Sequence, residues 1–540
     1  MRLSPHVAEE DLPGNRSLPD PVLSFWHIIR LASKSMSRFL LAVFACAALS
    51  TAVAPPADAQ APRDEDARAM KRFLDAYQIL NENTADPVDL DQAFYAGAIP
   101  GLLRHLDPHS VFFDPGQFAQ LKQMESSTRK GFGSVVSVLP GRVVVLQTLP
   151  NTPSEKAGMT PGDEILAVNN YRLDRLDPDQ IVELLNESKQ QTAQLVVHRP
   201  GNARLIELTL TPEAMKTSSV ERAFELGSGV GYLKVTGFEE KTAREIQAGI
   251  EKLGGRNLKG LVIDLRENPG GLVEAALETA SFFLKSGQAI LSVKGRNVAE
   301  TIQRVPEGNN PYTFPVSIIV DGKTASASEI VAGALQDHDR ATIVGETSFG
   351  KGLVQSVYPL SEKTGIALTT ALYYIPSGRS IQKAFSSQRA FGADGFALGA
   401  TATHPNERND FKTDSGRPVP GGGGIVPDIT ALAPIVSEFQ NVLEGSGAFT
   451  SFATEYIRDN KITPEWKVPP QALDQFQAWL SERHIQPSLH EWISNRDFIE
   501  THLKTEIYNL ALGVEKGDQV QAGYDPYIQK ALEAVLKPAA

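Results

Sequence analysis

Two side chains in this sequence are of the types needed for metal-free hydrolysis: a serine at the head of a helical run and a lysine in a glycine-rich turn. Ser326 lies in Thr324-Ala325-Ser326-Ala327-Ser328-Glu329-Ile330, just before the apolar run IVAGAL. Ser326-x-x-Glu329 reads as a capping box, with Ser as N-cap and Glu as third helical residue. The position also has a chemical use. A helix N-terminus offers unpaired backbone N–H groups, so a serine there can attack a carbonyl while a neighbouring N–H, that of Ala327, stabilises the oxyanion. A serine hydroxyl needs a base. A lysine can serve if desolvation lowers its pKa toward neutrality. Lys351, between Gly350 and Gly352 and after the apolar run ATIVGE, fits a buried base or a solvated loop lysine, and spacing alone does not decide.

Other nucleophile and base schemes find less support. No G-x-S-x-G elbow occurs in the chain. His338 and His109 sit in the polar stretches QDHDR and LDPHS and read as loop histidines rather than triad members. Ser328, the nearest rival nucleophile, lies two residues along the helix and should point elsewhere. GETSFGKG approximates a phosphate-binding loop, but position 352 is Gly where magnesium needs a hydroxyl. The following LVQSVYPL reads as a strand, not as a helix that would receive phosphate. Nucleotide binding is therefore set aside. DLRENPGG, ending in Gly270-Gly271, follows the apolar run GLVID. The carboxyl ends of strands are where open α/β sheets place ligands. The segment reads either as a tight strand-to-helix turn or as a backbone that donates N–H groups to a substrate.

These residues need elements to hold them. In residues 60–125, Ala67–Glu82 and Asp89–Leu106 carry apolar residues at helical spacing, and a loop, LDPHSVFFDP, follows. Residues 126–214 switch to short β-rich runs (SVVSVL, RVVVLQTL, EILAVN, AQLVVHR, LIELTLT) with one clear helix, DPDQIVELLNES. Residues 215–430 alternate strands and helices, the α/β pattern. Within them KGLVIDLR is a nearly continuous apolar run, as expected of a strand buried on both faces. A loop rich in Gly and polar residues, Phe391–Gly424, ends this part. Residues 431–540 return to helical periodicity, clearest at Asp474–Glu482, Phe498–Asn509 and Tyr527–Leu536.

A chain of 540 residues is too long for one core. Its composition, 41% hydrophobic and 21% charged, is that of a globular protein. The net charge of −12 and the lack of a basic run give no nucleic-acid footprint. Near the start, Lys34 and Arg38 precede FLLAVFACAALSTAVA and then Ala57-Asp58-Ala59. That is the layout of a cleavable export signal, residues 1–59, with cleavage after Ala59; the alternative is an uncleaved membrane anchor. The only cysteine, Cys46, lies in the apolar run, preceded by Val43-Phe44-Ala45, a poor lipid-attachment signal. The mature chain would then have no disulfide, thiol nucleophile or cysteine metal site.

TASASEIVAGALQDHDRATIVGETSFGKGLVQ closely resembles the signature of the carboxyl-terminal processing peptidases, also called tail-specific proteases. LDPHS, GFG, DLRENPGG, YYIPSGRSIQ and GGGGIVPDI resemble further motifs of that family, in its order. The resemblance implies a periplasmic, ATP-independent serine endopeptidase acting near protein C-termini, with no metal or organic cofactor. Ser326 would be the nucleophile, Lys351 its base 25 residues later, and Gln355, four residues further on, the group that orients the lysine. The oxyanion donors would be the N–H of Ala327 and of Gly271 or Gly270. Residues 126–214 would be a PDZ domain, holding a substrate's carboxylate at Lys130-Gly131-Phe132-Gly133 with the tail added as a strand, or gating the site. The expected fold is multidomain α/β and β: a helical N-terminal region (60–125), the PDZ domain, an α/β crotonase-like protease core (215–430) and a helical C-terminal extension (431–540). Partners would be protein or peptide substrates with free C-termini, and a second copy or an adaptor docking on the terminal helices. The competing readings are an inactive PDZ scaffold on a protease-like core and an enzyme acting on acyl thioesters.

Overall fold

The computed structural model describes residues 64–86, 89, 92–125, 128–216, 218–360, 363–383 and 411–537. The segment read as an export signal, most of the loop 391–424 and the last three residues lie outside them.

The described chain opens with α1 (Asp64–Asn83), a π-helical turn (Gln92–Ala98) and α2 (Ile99–Arg104). The single helix expected over Asp89–Leu106 is thus split, with proline tolerated in the first turn of α2. LDPHSVFFDP is not all loop. Val111–Phe113 forms β1, and α3 (Pro115–Glu125) follows at once. The Asp114 carboxylate accepts the Gln117 N–H at 2.8 Å, and the Gln117 side chain accepts the Asp114 N–H at 3.2 Å. Three strand residues are too few to show alternation, and Asp-x-x-Gln is a cap signal that the two prolines obscured.

The β-rich unit stands on a two-stranded neck, β2 (Thr128–Gly131) paired with β9 (Glu213–Lys216). Between them β3 (Ser134–Leu139), β4 (Arg142–Thr148), β5 (Glu164–Val168), β7 (Ala193–His198) and β8 (Ile206–Leu210) form a sheet in that order, with β6 (Tyr171–Arg172) beside β5. The short α4 (Pro153–Lys156) and α5 (Pro178–Ser188) complete it. One face of the sheet buries Val143, Val145, Ile165 and Leu195 with Ile181 of α5.

In the α/β part, β11 (Val230–Val235), β12 (Gly260–Asp264), β15 (Val316–Val320) and β16 (Ala341–Gly345) run parallel, with β10 (Val220–Gly227) antiparallel at one edge and Ile429–Thr430 at the other. Every residue of β12 and β15 is buried, as the apolar runs require. Leu261, Ile263 and Ile318 share a core with α6 (Thr242–Lys252), α7 (Val273–Ser281) and α8 (Ala327–Asp337). Val262, Ile319 and Val344 face the other way, onto α15 (Pro526–Leu536). A second sheet joins β1, β13 (Ala289–Lys294), β14 (Thr301–Arg304), β17 (Leu353–Pro359) and β18 (Gly365–Tyr374). Residues from this sheet, among them Ile290, Leu291 and Tyr373, enter the α8 core, so all 11 residues of α8 are buried.

The C-terminal helices are not a loose extension. α9 (Glu438–Gly445), α10 (Ala448–Asp459), α11 (Pro470–Glu482), α12 (Leu489–Ser494), α13 (Arg496–Leu512) and α14 (Val514–Ala522) lead to α15. Phe449, Phe452 and Phe476 share one apolar core with Leu139, Val144 and Leu146 from the outer face of the β-rich unit. α15 lies so close to β12 that a Cβ built on Gly260 would fall 1.9 Å from Val535. Among the described residues, no helix is long and apolar enough to cross a membrane.

Candidate active site

β12, β15 and β16 are neighbours and parallel, so the loops after their carboxyl ends emerge side by side. The first loop carries DLRENPGG, the second ends on Ser326, and the third carries Lys351. Sequence order alone does not show that these three segments meet; the strand order does.

Ser326 precedes α8 and is 4% exposed. Its backbone is at φ 56°, ψ −118°, a conformation disfavoured for any residue with a side chain. Such strain costs about 1–3 kcal/mol and persists only where the surroundings impose it. Glu329 is what imposes it. This fully buried carboxylate accepts the Ser326 N–H at 2.9 Å, the Lys351 N–H at 2.9 Å, the Gly350 N–H at 2.7 Å and the Ser348 hydroxyl at 2.5 Å. Burial pushes its pKa above the ordinary value, and the four donors oppose that. Four donors converging on two oxygens suit only the ionised form. The reciprocal half of the expected capping box is therefore present, and it ties the lysine loop to the serine.

The two glycines differ in their hydrogen bonds. The Gly270 N–H donates to the Asn268 side-chain oxygen at 2.9 Å. Among the described residues, the N–H groups of Gly271 and Ala327 donate to no acceptor. A Cβ on Gly270 would lie 2.8 Å from both the Ala327 nitrogen and the Ser326 Cβ, so only glycine lets this loop approach the serine so closely. Ser328, by contrast, sends its hydroxyl 3.2 Å to the Asn268 carbonyl, away from the cleft side of the helix.

Lys351 is 2% exposed, which selects the buried reading. Gln355 lies in β17, just past a bulge at Val354/Gln355, and is equally buried. Its amide nitrogen donates to the His109 carbonyl at 2.7 Å, while its oxygen has no partner among the described residues. LDPHS thus reaches this site. The Asp107 carboxylate accepts the N–H of His109 at 2.7 Å and of Ser110 at 2.8 Å, which shapes the turn. His109 is half-buried, and its pKa is lowered to about 4, first by burial and then by the charge of Lys351. His109 is a loop histidine, as expected, and its loop brings it beside the lysine. His338 caps the far end of α8, about 18 Å along the helix from Ser326, and binds Asp414 and the Ala289 carbonyl. Tyr373, which no motif singled out, donates its hydroxyl to the Lys351 carbonyl and lies near Ser326. Its place in YYIPSGRSIQ was the only available signal.

In the β-rich unit, Lys130 and Gly131 belong to the neck strand β2 and pair with Ala214 and Glu213. Lys130 is exposed and Phe132 packs partly into the unit's core. The carbonyls of Phe132 and Gly133 accept the N–H groups of Ser154 and Leu149, whereas their own N–H groups have no acceptor among the described residues. β3, which follows, is an edge strand, with α5 beside it.

The family model described as peptidase family S41 matches residues 229–386, and that of the PDZ domain matches residues 144–199. A carboxy-terminal-processing protease of Bartonella bacilliformis is 35% identical over 323 residues, covering 58% of this chain and 73% of that protein. The carboxy-terminal processing protease CtpB of Bacillus subtilis is 31% identical over 334 residues, covering 61% and 69%. CtpA of the same organism is 30% identical over 309 residues, covering 57% and 66%.

Two predictions follow from these contacts. Glu329→Gln places an amide NH₂ among four donors, so turnover should fall about 100-fold, the scale of an approximately 1 Å misplacement. Steady-state kinetics on the folded variant check this, and wild-type turnover would reject it. The second concerns acid. Because the folded pKa of His109 is about 4 against 6.5 for the free group, the unfolded chain binds a proton that the folded one does not. Stability from this group is complete above pH 6.5 and declines as pH drops toward 4, by roughly 2 kcal/mol at pH 5. His502, also lowered to about 4 by burial, acts with the same sign. His109→Asn should therefore lose less stability than wild type between pH 7 and 5 in denaturant titrations. Equal losses would contradict it.

Proposed function

Because the chain belongs to the carboxy-terminal processing proteases of peptidase family S41, we propose that it is a periplasmic serine endopeptidase working through Ser326, Lys351 and Gln355. The observation that carries this reading is the shared Glu329 carboxylate, which fixes the backbones of Ser326 and Lys351 relative to each other. In its neutral form the Lys351 amine takes the Ser326 proton as the serine oxygen attacks a peptide carbonyl. The oxyanion forms against the N–H groups of Ala327 and Gly271. The lysine returns its proton to the leaving amine, and water, activated by the same lysine, hydrolyses the acyl-enzyme. The Gln355 side-chain oxygen, which has no partner among the described residues, accepts a hydrogen bond from the lysine and aims it. No cofactor is used.

The PDZ domain delivers the substrate. A C-terminal tail adds to the open edge of β3, with its side chains against α5, and its carboxylate rests on the N–H groups of Phe132 and Gly133. The domain spans 126–214, between the helical region 60–125 and the protease core 215–430. At the N-terminus, α1 exposes Met70, Leu74, Ile79 and Leu80, each more than half accessible, a surface suited to a second copy or an adaptor. Residues 1–59 act as the export signal.

Ser326→Ala and Lys351→Ala should each abolish cleavage of a tailed protein substrate while leaving the thermal transition in place. Gln355→Ala should lower kcat without abolishing it. A folded, active Ser326→Ala protein would sink the reading, and unchanged kcat in Gln355→Ala would remove Gln355 from it. Mass analysis of the protein recovered from the exporting cell should find Gln60 at its start. Retention of residues 1–59 would make the segment an anchor.

A further inference from the structure

The last helix touches the loops on both sides of the nucleophile. Asp525 is the N-cap of α15. Its Oδ1 accepts the N–H of Tyr527 at 2.8 Å and of Ile528 at 3.2 Å, while its Oδ2 binds the Arg266 guanidinium at 2.8 Å. Arg266 lies inside DLRENPGG, five residues before Gly271. From the other side Asp264 grips the same guanidinium at 2.6 Å and the Arg266 N–H at 2.9 Å. Lys234 holds the Arg266 carbonyl at 2.8 Å and Asp264 at 3.1 Å. Burial alone would raise the pKa of Asp264, but Arg266 and Lys234 outweigh it and hold the carboxyl below the ordinary range. The Tyr527 ring lies beneath Arg266, 4.9 Å from its guanidinium carbon. The Tyr527 hydroxyl donates to Glu346 at 2.5 Å, at the start of the loop that carries Lys351.

The residue after Arg266 shows why this grip matters. Glu267 has φ 61°, a left-handed conformation in a residue with a side chain. Strain of this kind relaxes unless neighbours over-determine it. Beyond Glu267 the Asn268 N–H closes the turn onto the Leu265 carbonyl at 3.1 Å, and the Glu267 N–H itself, in the peptide from Arg266, donates to Asp321 at 2.9 Å. On its near side the hold is Arg266, and one of the two carboxylates fixing Arg266 comes from α15. Beyond Glu267 the chain passes directly to Asn268, Gly270 and Gly271. An Arg266 released from Asp525 leaves one end of its guanidinium without its counter-ion, and its rearrangement moves the strained turn and the N–H of Gly271 with it.

We propose that Asp525, seconded by Tyr527, is a positioning residue for the hydrolysis: α15 sets the oxyanion loop through Arg266 and the lysine loop through Glu346. This rests on the Ser326–Lys351 reading. It also gives the C-terminal helices a part in catalysis that their sequence does not suggest.

The test uses the full chain. Asp525→Asn keeps a good N-cap but removes the charge that binds Arg266. Tyr527→Phe keeps the ring and removes the bond to Glu346. Lys530→Ala is the control, since Lys530 bonds the Thr430 carbonyl from the same helix and touches neither loop. On a short unstructured peptide substrate, kcat should fall about tenfold or more for Asp525→Asn, and by less for Tyr527→Phe. KM should stay within about twofold and Lys530→Ala should match wild type. Asp525→Glu, which restores the charge, should recover part of kcat. Wild-type kcat in Asp525→Asn overturns the proposal. So does a loss that Lys530→Ala shares, or one that follows the fraction unfolded. Ser326→Ala, run alongside, separates the two levels: if it still cleaves, the site reading fails; if it is dead while Asp525→Asn is fully active, only the role of α15 fails.

Discussion

A single buried carboxylate holds this site together. Among the described residues, Glu329 pairs with no cation; it is satisfied by three backbone N–H groups and one hydroxyl. Those donors come from two segments, the residue before α8 and the loop after β16, which the chain separates by about two dozen residues. An ionised carboxylate in a dry interior is costly unless its lone pairs are filled, so the two segments are held where they fill them. The strained backbone of Ser326 and the burial of Lys351 both follow. A carboxylate that bonds the backbones of Ser326 and Lys351 rather than their side chains also leaves the serine hydroxyl and lysine amine uncommitted to it.

That arrangement needs a rigid floor, and α8 provides it. A helix with all its residues buried cannot shift without disturbing the parallel sheet on one side and the β13–β18 layer on the other. This part of the architecture was legible. Continuous apolar runs such as GLVID and VSIIV say that both faces are covered, and ASEIVAGAL, small and apolar all round, says that the helix has no solvent face. The capping signature of Ser326-x-x-Glu329 also located the start of this helix. It gave no hint that the serine backbone would be left-handed, because capping statistics describe a relaxed N-cap and this one is held by contacts from the loop after β16.

What stayed hidden was long-range. His109 reaches Gln355 across 246 residues, and Asp525 reaches Arg266 from the opposite end of the chain. No local period or spacing encodes such contacts; they appear only when the strand order is known. LDPHSVFFDP looked like one continuous loop because Pro108 and Pro115 bracket a strand of three residues. Asp525-Pro526 looked like an ordinary helix start, and it is one, but its second carboxylate oxygen was free for another task. Gly270 and Gly271 could not be told apart by type. Their difference lies in one side chain, Asn268, that occupies the N–H of the first and leaves the second open.

The C-terminal helices change how the PDZ domain should be understood. Along β3, Val136 and Val138 turn into the domain's own core, while Val135 and Leu139 turn outward onto the helices. The period of two that defines a strand thus gives β3 two cores and leaves its edge as the open side. A peptide adding to that edge extends a strand whose outer face already rests on the helices that lead, through α14, to Asp525. Gln147 binds the Val514 N–H at 3.2 Å, and Asp518 of α14 pairs with Arg222 on β10. The helices therefore run as one packed body from the face beside the groove to the Arg266 turn. A domain on a flexible tether would report an occupied groove only by proximity. Here the β3 edge and the Arg266 turn rest on the same helices, so a shift of either is opposed by the packing of both.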